Sequence, residues 1–281
     1  MKKIAQQLIS IAVVILLTSG FAMASVVADY WFEGPSGEDG TLVLDHSGNG
    51  NHGTLVGFTN TNIGYADNPL NPGYTSDGMI RLVQGDPVEY VKSGIYAYPF
   101  ITNSFTIEAI TGLSPGGKSY WQPLVGHVAE RENDWETFVY WGAGRNSAPH
   151  WHIVHGGPGD SYDDYAGILN DGNLHHYAIT YDADSHELKM YLDYQQIATV
   201  SGDLNNTVLS DDPGVLFIGS HMGESSWEVW NGLIDRIRFS DEALTPDEFI
   251  QANPVPIPAA AWLLGSGLVG FVAMRRRSGK V

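Results

Sequence analysis

A dozen short segments in which apolar residues recur at every second position, with no long run at helical spacing between them, constrain this chain more than any other feature. The candidate strands are residues 26–33, 79–83, 88–91, 104–110, 121–128, 137–142, 150–156, 175–182, 187–193, 196–200, 215–220 and 230–240. In HHYAITYD (175–182), Tyr177, Ile179 and Tyr181 alternate with Ala178 and Thr180, which places the two sets on opposite faces of a sheet. LNDGN (169–173), SGDLNN (201–206) and SDDPG (210–214) separate such segments with residues that favour turns. The pattern predicts an all-β fold of antiparallel strands, a sandwich or a barrel. One short helical signal interrupts it. In SDEALTPDEFI, Thr245 caps a turn opened by Pro246, with Asp247 and Glu248 in its first positions. The chain has no cysteine, so disulfides, thiol catalysis and thiolate metal sites are excluded, and a hydrophobic core must hold the fold.

The two ends read differently. Residues 1–24 have Lys2 and Lys3, an apolar stretch from Ile9 to Leu17, and Ala22 and Ala24 flanking Met23, the layout of a signal peptide cut by signal peptidase after Ala24. Residues 251–281 hold Pro254, Val255, Pro256 and Pro258, then 17 uncharged residues from Pro258 to Met274, then Arg275, Arg276 and Arg277. That run is barely long enough to cross a membrane, and the arginines would keep its far end inside. A single C-terminal transmembrane helix is therefore expected. The domain between, residues 25–250, carries nearly all the charge. It has all 32 acidic residues but only 8 of the 14 basic ones, and this acidity argues against nucleic acid as a partner. Neutral partners such as sugars, and divalent cations, remain compatible with it.

Several segments in order carry a family resemblance: DHSGNGNHGTLVG (45–57), SFTIEA (104–109), residues 169–200 and residues 216–249. Together they resemble the concanavalin A-like, laminin-G-like jelly rolls of exported bacterial proteins. The resemblance implies two packed antiparallel sheets, a concave face that binds carbohydrate or protein, and frequently a calcium ion. It extends a calcium role to Asp235, with Asp29 as the weaker companion. In the Gly-rich loop, Asp45, Asn49 and Asn51 are oxygen donors suited to a hard cation, or else they cap backbone amides. Asp235 alternates with Leu233 and Ile237, so its carboxylate needs a partner. Asp193-Tyr194 stands where the family's hairpin has Asp-Gly, and the poor fit of Tyr to a left-handed turn predicts another turn or a longer loop. The tail, VPIPAAAWLLGSGLVGFVAMRRR, resembles the PEP-CTERM sorting signal of Gram-negative bacteria. That resemblance implies an exosortase-type enzyme as partner, transient inner-membrane anchoring, and delivery to the cell surface or extracellular matrix.

The expected function is a non-catalytic binding module for extracellular polysaccharide or a surface protein. Trp121, Trp135, Tyr140, Trp141, Trp151, Trp227 and Trp230 supply candidate stacking surfaces, with Trp227, Trp230, Trp135 and Trp141 as the expected ligand contacts. One alternative is a purely structural matrix component. The other is a β-glucan hydrolase: Glu132, Asp134 and Glu136 alternate, so on a strand their carboxylates share a side, and the trio resembles the signature of glucan hydrolases with this fold.

Overall fold

The computed structural model describes residues 25–33, 38–58, 78–83, 88–115, 121–128, 138–144, 146–153, 167–202, 204, 214–220 and 228–250. The strands are β1 (Val26–Tyr30), β2 (Leu42–Val43), β3 (Gly53–Val56), β4 (Ile80–Leu82), β5 (Tyr90–Tyr96), β6 (Phe105–Leu113), β7 (Gln122–Val128), β8 (Phe138–Ala143), β9 (Pro149–Ile153), β10 (His175–Asp182), β11 (Glu187–Leu192), β12 (Gln195–Ser201), β13 (Val215–Ile218) and β14 (Gly232–Ser240). A short helix, α1 (Ala97–Ile101), follows β5, and a 3-10 turn (Pro246–Glu248) follows β14.

Two antiparallel sheets result. The first runs β1-β14-β6-β10-β11-β12, with β4 also paired to β14; the second runs β2-β3-β5-β13-β7-β8-β9. Their registers show how alternation builds the core. In the first sheet Ala28, Phe239, Ile107, Ile179 and Met190 are successive cross-strand partners, all fully buried. In the second sheet the row is Leu55, Val91, Ile218, Val125, Trp141 and Trp151, also fully buried. Both rows belong to one hydrophobic cluster, so the sheets pack face to face as a jelly-roll sandwich. Every candidate strand read from the sequence lies on an observed one. The short β2 and β3, the continuation of β5 past Val91 and the helix α1 carry too little pattern to be read.

Two expectations are corrected here. The β11–β12 hairpin closes with only two residues, Leu192 pairing with Gln195, and Asp193 and Tyr194 both take positive φ, 48° and 66°. This is the tight turn that Tyr was expected to prevent. Contacts hold it: the Tyr194 ring stacks on His176 at 4.3 Å and its hydroxyl donates to the Ile250 carbonyl at 3.0 Å.

The second correction concerns the membrane. Among the described residues no helix is long and apolar enough to cross one. The helical pieces, α1 and the 3-10 turn, have five and three residues. The described structure gives the expected transmembrane sorting helix, and the transient inner-membrane anchoring that rested on it, no support; residues 251–281, on which that expectation falls, lie outside the described residues. The signal peptide, Pro254, Val255, Pro256 and Arg275–Arg277 lie outside the described residues.

Candidate functional site

A sandwich has two outward faces, and here they differ. On the first sheet the outward row is Asp29, Arg238, Glu108, Ala178 and Tyr191. Glu108 is fully buried and accepts from the Arg238 guanidinium, from His176 Nε2 at 2.9 Å and from the Ile250 amide at 2.6 Å. Residues 241–250 lie over this row as a strap. Leu244 and Phe249 pack on Ala178 and Tyr191, and the Thr106 hydroxyl bridges the Glu242 carbonyl and the Leu244 amide. Within the strap, Glu248 accepts from the amide and hydroxyl of Thr245, and these bonds hold its carboxyl below the ordinary range. This face is closed by the protein's own chain.

The second sheet turns a different row outward: Leu42, Thr54, Lys92, Phe217, Gly126 and Tyr140. His150 shares this face, because its neighbour Trp151 points into the core. Two aromatic groups form on it. Trp121 lies 4.5 Å from His150 and meets Tyr140 edge-on at 6.2 Å, while Tyr140 meets His150 at 5.5 Å. Across Gly126, Tyr90 and Phe217 meet edge-on at 5.3 Å, with Val88, Val229 and Val56 around them. Tyr140 and His150 are buried, whereas Trp121 and Phe217 are partly exposed. The Tyr140 hydroxyl donates to the Ala143 carbonyl at 2.6 Å, which fixes the ring on which Trp121 rests.

The structure distributes the other expected ligand residues elsewhere. Trp141 and Trp230 are fully buried in the core, and Trp135 and Trp227 lie outside the described residues. Glu132, Asp134 and Glu136, in the connection between β7 and β8, also lie outside them. Trp121 and Phe217 are partly exposed on the outward face of the second sheet, and Tyr96, two positions of alternation beyond Lys92 on β5, is more exposed still. Strict alternation was the signal that separates outward Tyr140 from inward Trp141.

The expected calcium site is corrected, because no cluster of His, Asp or Glu able to hold a metal is found among the described residues. The reason is visible in each carboxylate's partners. Asp45 accepts from the amides of Asp29, Ser47 and Asn51 at 2.8–2.9 Å and from the Ser47 hydroxyl at 2.8 Å, so its lone pairs face the loop's own donors. Asn49 and Asn51 turn their amide nitrogens to the carbonyls of Val26 and Val27. Asp29 is bound two-pronged by Arg236 at 2.8 and 2.6 Å, and that guanidinium also lies over Trp31. Asp235 falls at a bulge between Ile234 and Arg236, which breaks its alternation with Leu233. It sits beside Arg236 and favours that residue's charged form.

Burial works against the Asp45 charge, but the four donors outweigh it and hold the carboxyl below the ordinary range. Its contribution to stability is thus complete above the unfolded-state carboxylate pKa and is lost as pH falls through the lowered folded-state value. Asp45→Ala is expected to cost about 2–3 kcal/mol in chemical denaturation. Dialysis against EDTA is expected to leave the wild-type melting temperature unchanged, and a clear drop would restore a metal to this loop.

Two face-to-face antiparallel sheets, one outward face strapped and the other aromatic, define a lectin-type β-sandwich. The chain belongs to the concanavalin A-like lectin/glucanases superfamily, whose sequence model matches residues 89–249. No curated protein matches the chain. Among solved structures, the Trypanosoma rangeli sialidase in complex with 2,3-difluoro-KDN gives a TM-score of 0.52 at 14% identity, covering 80% of this chain and 31% of the sialidase. The covalent intermediate of the same enzyme with 2,3-difluorosialic acid gives 0.51 at 14% identity, covering 80% and 32%. Domain 4 of AbnA, a GH43 extracellular arabinanase from Geobacillus stearothermophilus in complex with arabinotriose, gives 0.47 at 16%, covering 80% of this chain and 97% of that domain.

The chain thus spans about a third of the sialidase's length. These likenesses correct the expectation that the domain is not an enzyme. The fold recurs within glycosidases and the family includes glucanases, so the architecture gives no ground for excluding catalysis. Nothing in these comparisons supports the PEP-CTERM resemblance of the tail; the family match ends at residue 249.

Proposed function

We propose that this domain is carbohydrate-directed and meets a polysaccharide with the outward face of the β2–β9 sheet. The observation that carries the proposal is the Trp121–Tyr140–His150 group, with Trp121 partly exposed on a support of buried rings. Aromatic faces stack on the apolar faces of sugar rings, and a ring held by packing loses little freedom on binding. On the opposite face Leu244 and Phe249 of residues 241–250 cover Ala178 and Tyr191. Membership in a family of lectins and glucanases supports the same reading. Affinity electrophoresis of the full chain through gels containing β-glucan tests it. Retardation is the expected result, and unretarded migration across a panel of polysaccharides would contradict it.

A second reading, glycoside hydrolysis, is favoured by the glucanases of the family and by the alternation of Glu132, Asp134 and Glu136 directly before β8. Two carboxylates about 5 Å apart would serve as nucleophile and acid/base in a retaining mechanism. Release of reducing sugar from β-glucan, abolished by Glu132→Gln and Glu136→Gln, would establish this reading. Absence of release from bound glucan would leave the domain a binding module.

A further inference from the structure

Residues 248–250 of the strap over the first sheet are held by three side chains. Arg238 donates to the Glu248 carbonyl at 2.7 Å, Glu108 accepts from the Ile250 amide, and the Tyr194 hydroxyl donates to the Ile250 carbonyl. Tyr194 also covers one face of His176, with Phe249 of the strap on that ring at 5.0 Å. The hold through Tyr194 depends on an unusual turn, because Asp tolerates positive φ but Tyr does not adopt it without outside support.

Besides the His176 stack and the Ile250 bond that hold Tyr194, the Asp193 side of the turn is supported by His175. Its Nδ1 lies 2.9 Å from Asp193 Oδ2, and its Nε2 lies 3.1 Å from Asp171 Oδ1. Carboxylates only accept, so both contacts are hydrogen bonds only when both ring nitrogens carry protons. A neutral imidazole gives up one of the two. Asp171 keeps its position regardless, since it also accepts from the amide and the side chain of Asn173 at 2.9 Å. The Asp193 carboxylate also accepts from the His176 amide at 3.2 Å, and the Asp193 amide donates to the His176 carbonyl at 2.7 Å, so the backbone of the turn is anchored while the carboxylate relies on His175 for its second oxygen. The cross-strand neighbour of His175 on β6 is the uncharged Thr111, so the charged groups in contact with the ring among the described residues are Asp171 and Asp193.

We propose that His175 is a pH-sensitive lock on the strap: as the imidazolium it fixes the Asp193–Tyr194 turn, and through Tyr194 it fixes the chain at Ile250. Burial disfavours the charged ring, but the two carboxylates outweigh it and raise its pKa above the ordinary histidine value. The lock is therefore closed below about pH 6.5 and opens as pH rises through the higher folded-state value. The device is independent of what the aromatic face binds.

Hydrogen exchange of the peptide covering residues 241–250, measured in the full chain from about pH 5 to pH 9 and corrected for intrinsic exchange, tests the proposal. The His175 ring resonances are followed by NMR on the same samples. Protection of the strap is expected to fall about five- to tenfold, the effect of one hydrogen bond, at the pH where His175 deprotonates. In His175→Gln the step vanishes and protection stays at the high-pH level. In Tyr194→Phe protection is low throughout while His175 still titrates. Strap protection in the wild type that ignores the His175 titration would overturn the proposal, whether or not the variants fold, and so would a step that persists in His175→Gln.

Discussion

Glu108→Ala is expected to lower the free energy of unfolding by about 3–5 kcal/mol, the cost of breaking a buried ion pair from one side. Glu108 is fully buried on β6, near the middle of the first sheet. Its carboxylate meets the Arg238 guanidinium, the His176 imidazole and the Ile250 amide. Removing it strands a largely buried cation and two further polar groups beneath the strap. For a domain of this size the melting temperature should fall by about 10 °C. Glu108→Gln keeps the shape and one acceptor, so its loss should be smaller. Urea titration reads both. A loss below about 1 kcal/mol for the alanine variant would mean that the cluster contributes little net stability.

Trp141→Ala should be about as damaging, near 3–5 kcal/mol, because a fully buried large ring leaves a cavity that the sheets cannot fill. Trp141 lies between Val125 and Trp151 on the inner row, 4.6 Å from the ring of Tyr177. The Tyr177 hydroxyl donates to the Gly142 carbonyl at 2.8 Å, so the two sheets are joined at this point by packing and by a hydrogen bond. The folded fraction of this variant should bind polysaccharide like the wild type. A variant of normal stability that has lost binding would return Trp141 to the ligand surface, where sequence reading placed it.

Alternation made the fold legible. Tyr177, Ile179 and Tyr181 announced their strand and their inward face at once, and all three are buried. Two things were hidden. A bulge at Asp235 shifts the phase of β14 by one residue, so the carboxylate leaves the face that simple alternation assigns it. Partner choice is likewise a tertiary property. No local pattern shows that Asp29 meets Arg236, more than 200 residues later. For Asp45 local sequence left a cation and amide capping both open, and the fold supplies the amides. For the aromatic face the needed signal was present but unused. Tyr140 and Trp141 are adjacent, so only one of them can face outward, and Trp121 was chosen by the fold as its neighbour through the β7–β8 pairing.

The turn at Asp193-Tyr194 carries a related lesson. Intrinsic preference argued against a two-residue turn, yet stacking on His176 and a hydrogen bond to Ile250 hold Tyr194 there. Local strain is tolerated where several contacts determine the same geometry.

The central claim is that carbohydrate meets the β2–β9 face through Trp121. Isothermal titration of the wild type and of Trp121→Ala with a soluble β-glucan oligosaccharide tests it most directly, with circular dichroism confirming that both are folded. The account predicts that the variant keeps its fold and loses at least about tenfold in affinity, as expected for an aromatic anchor. Undiminished affinity in the folded variant would contradict it.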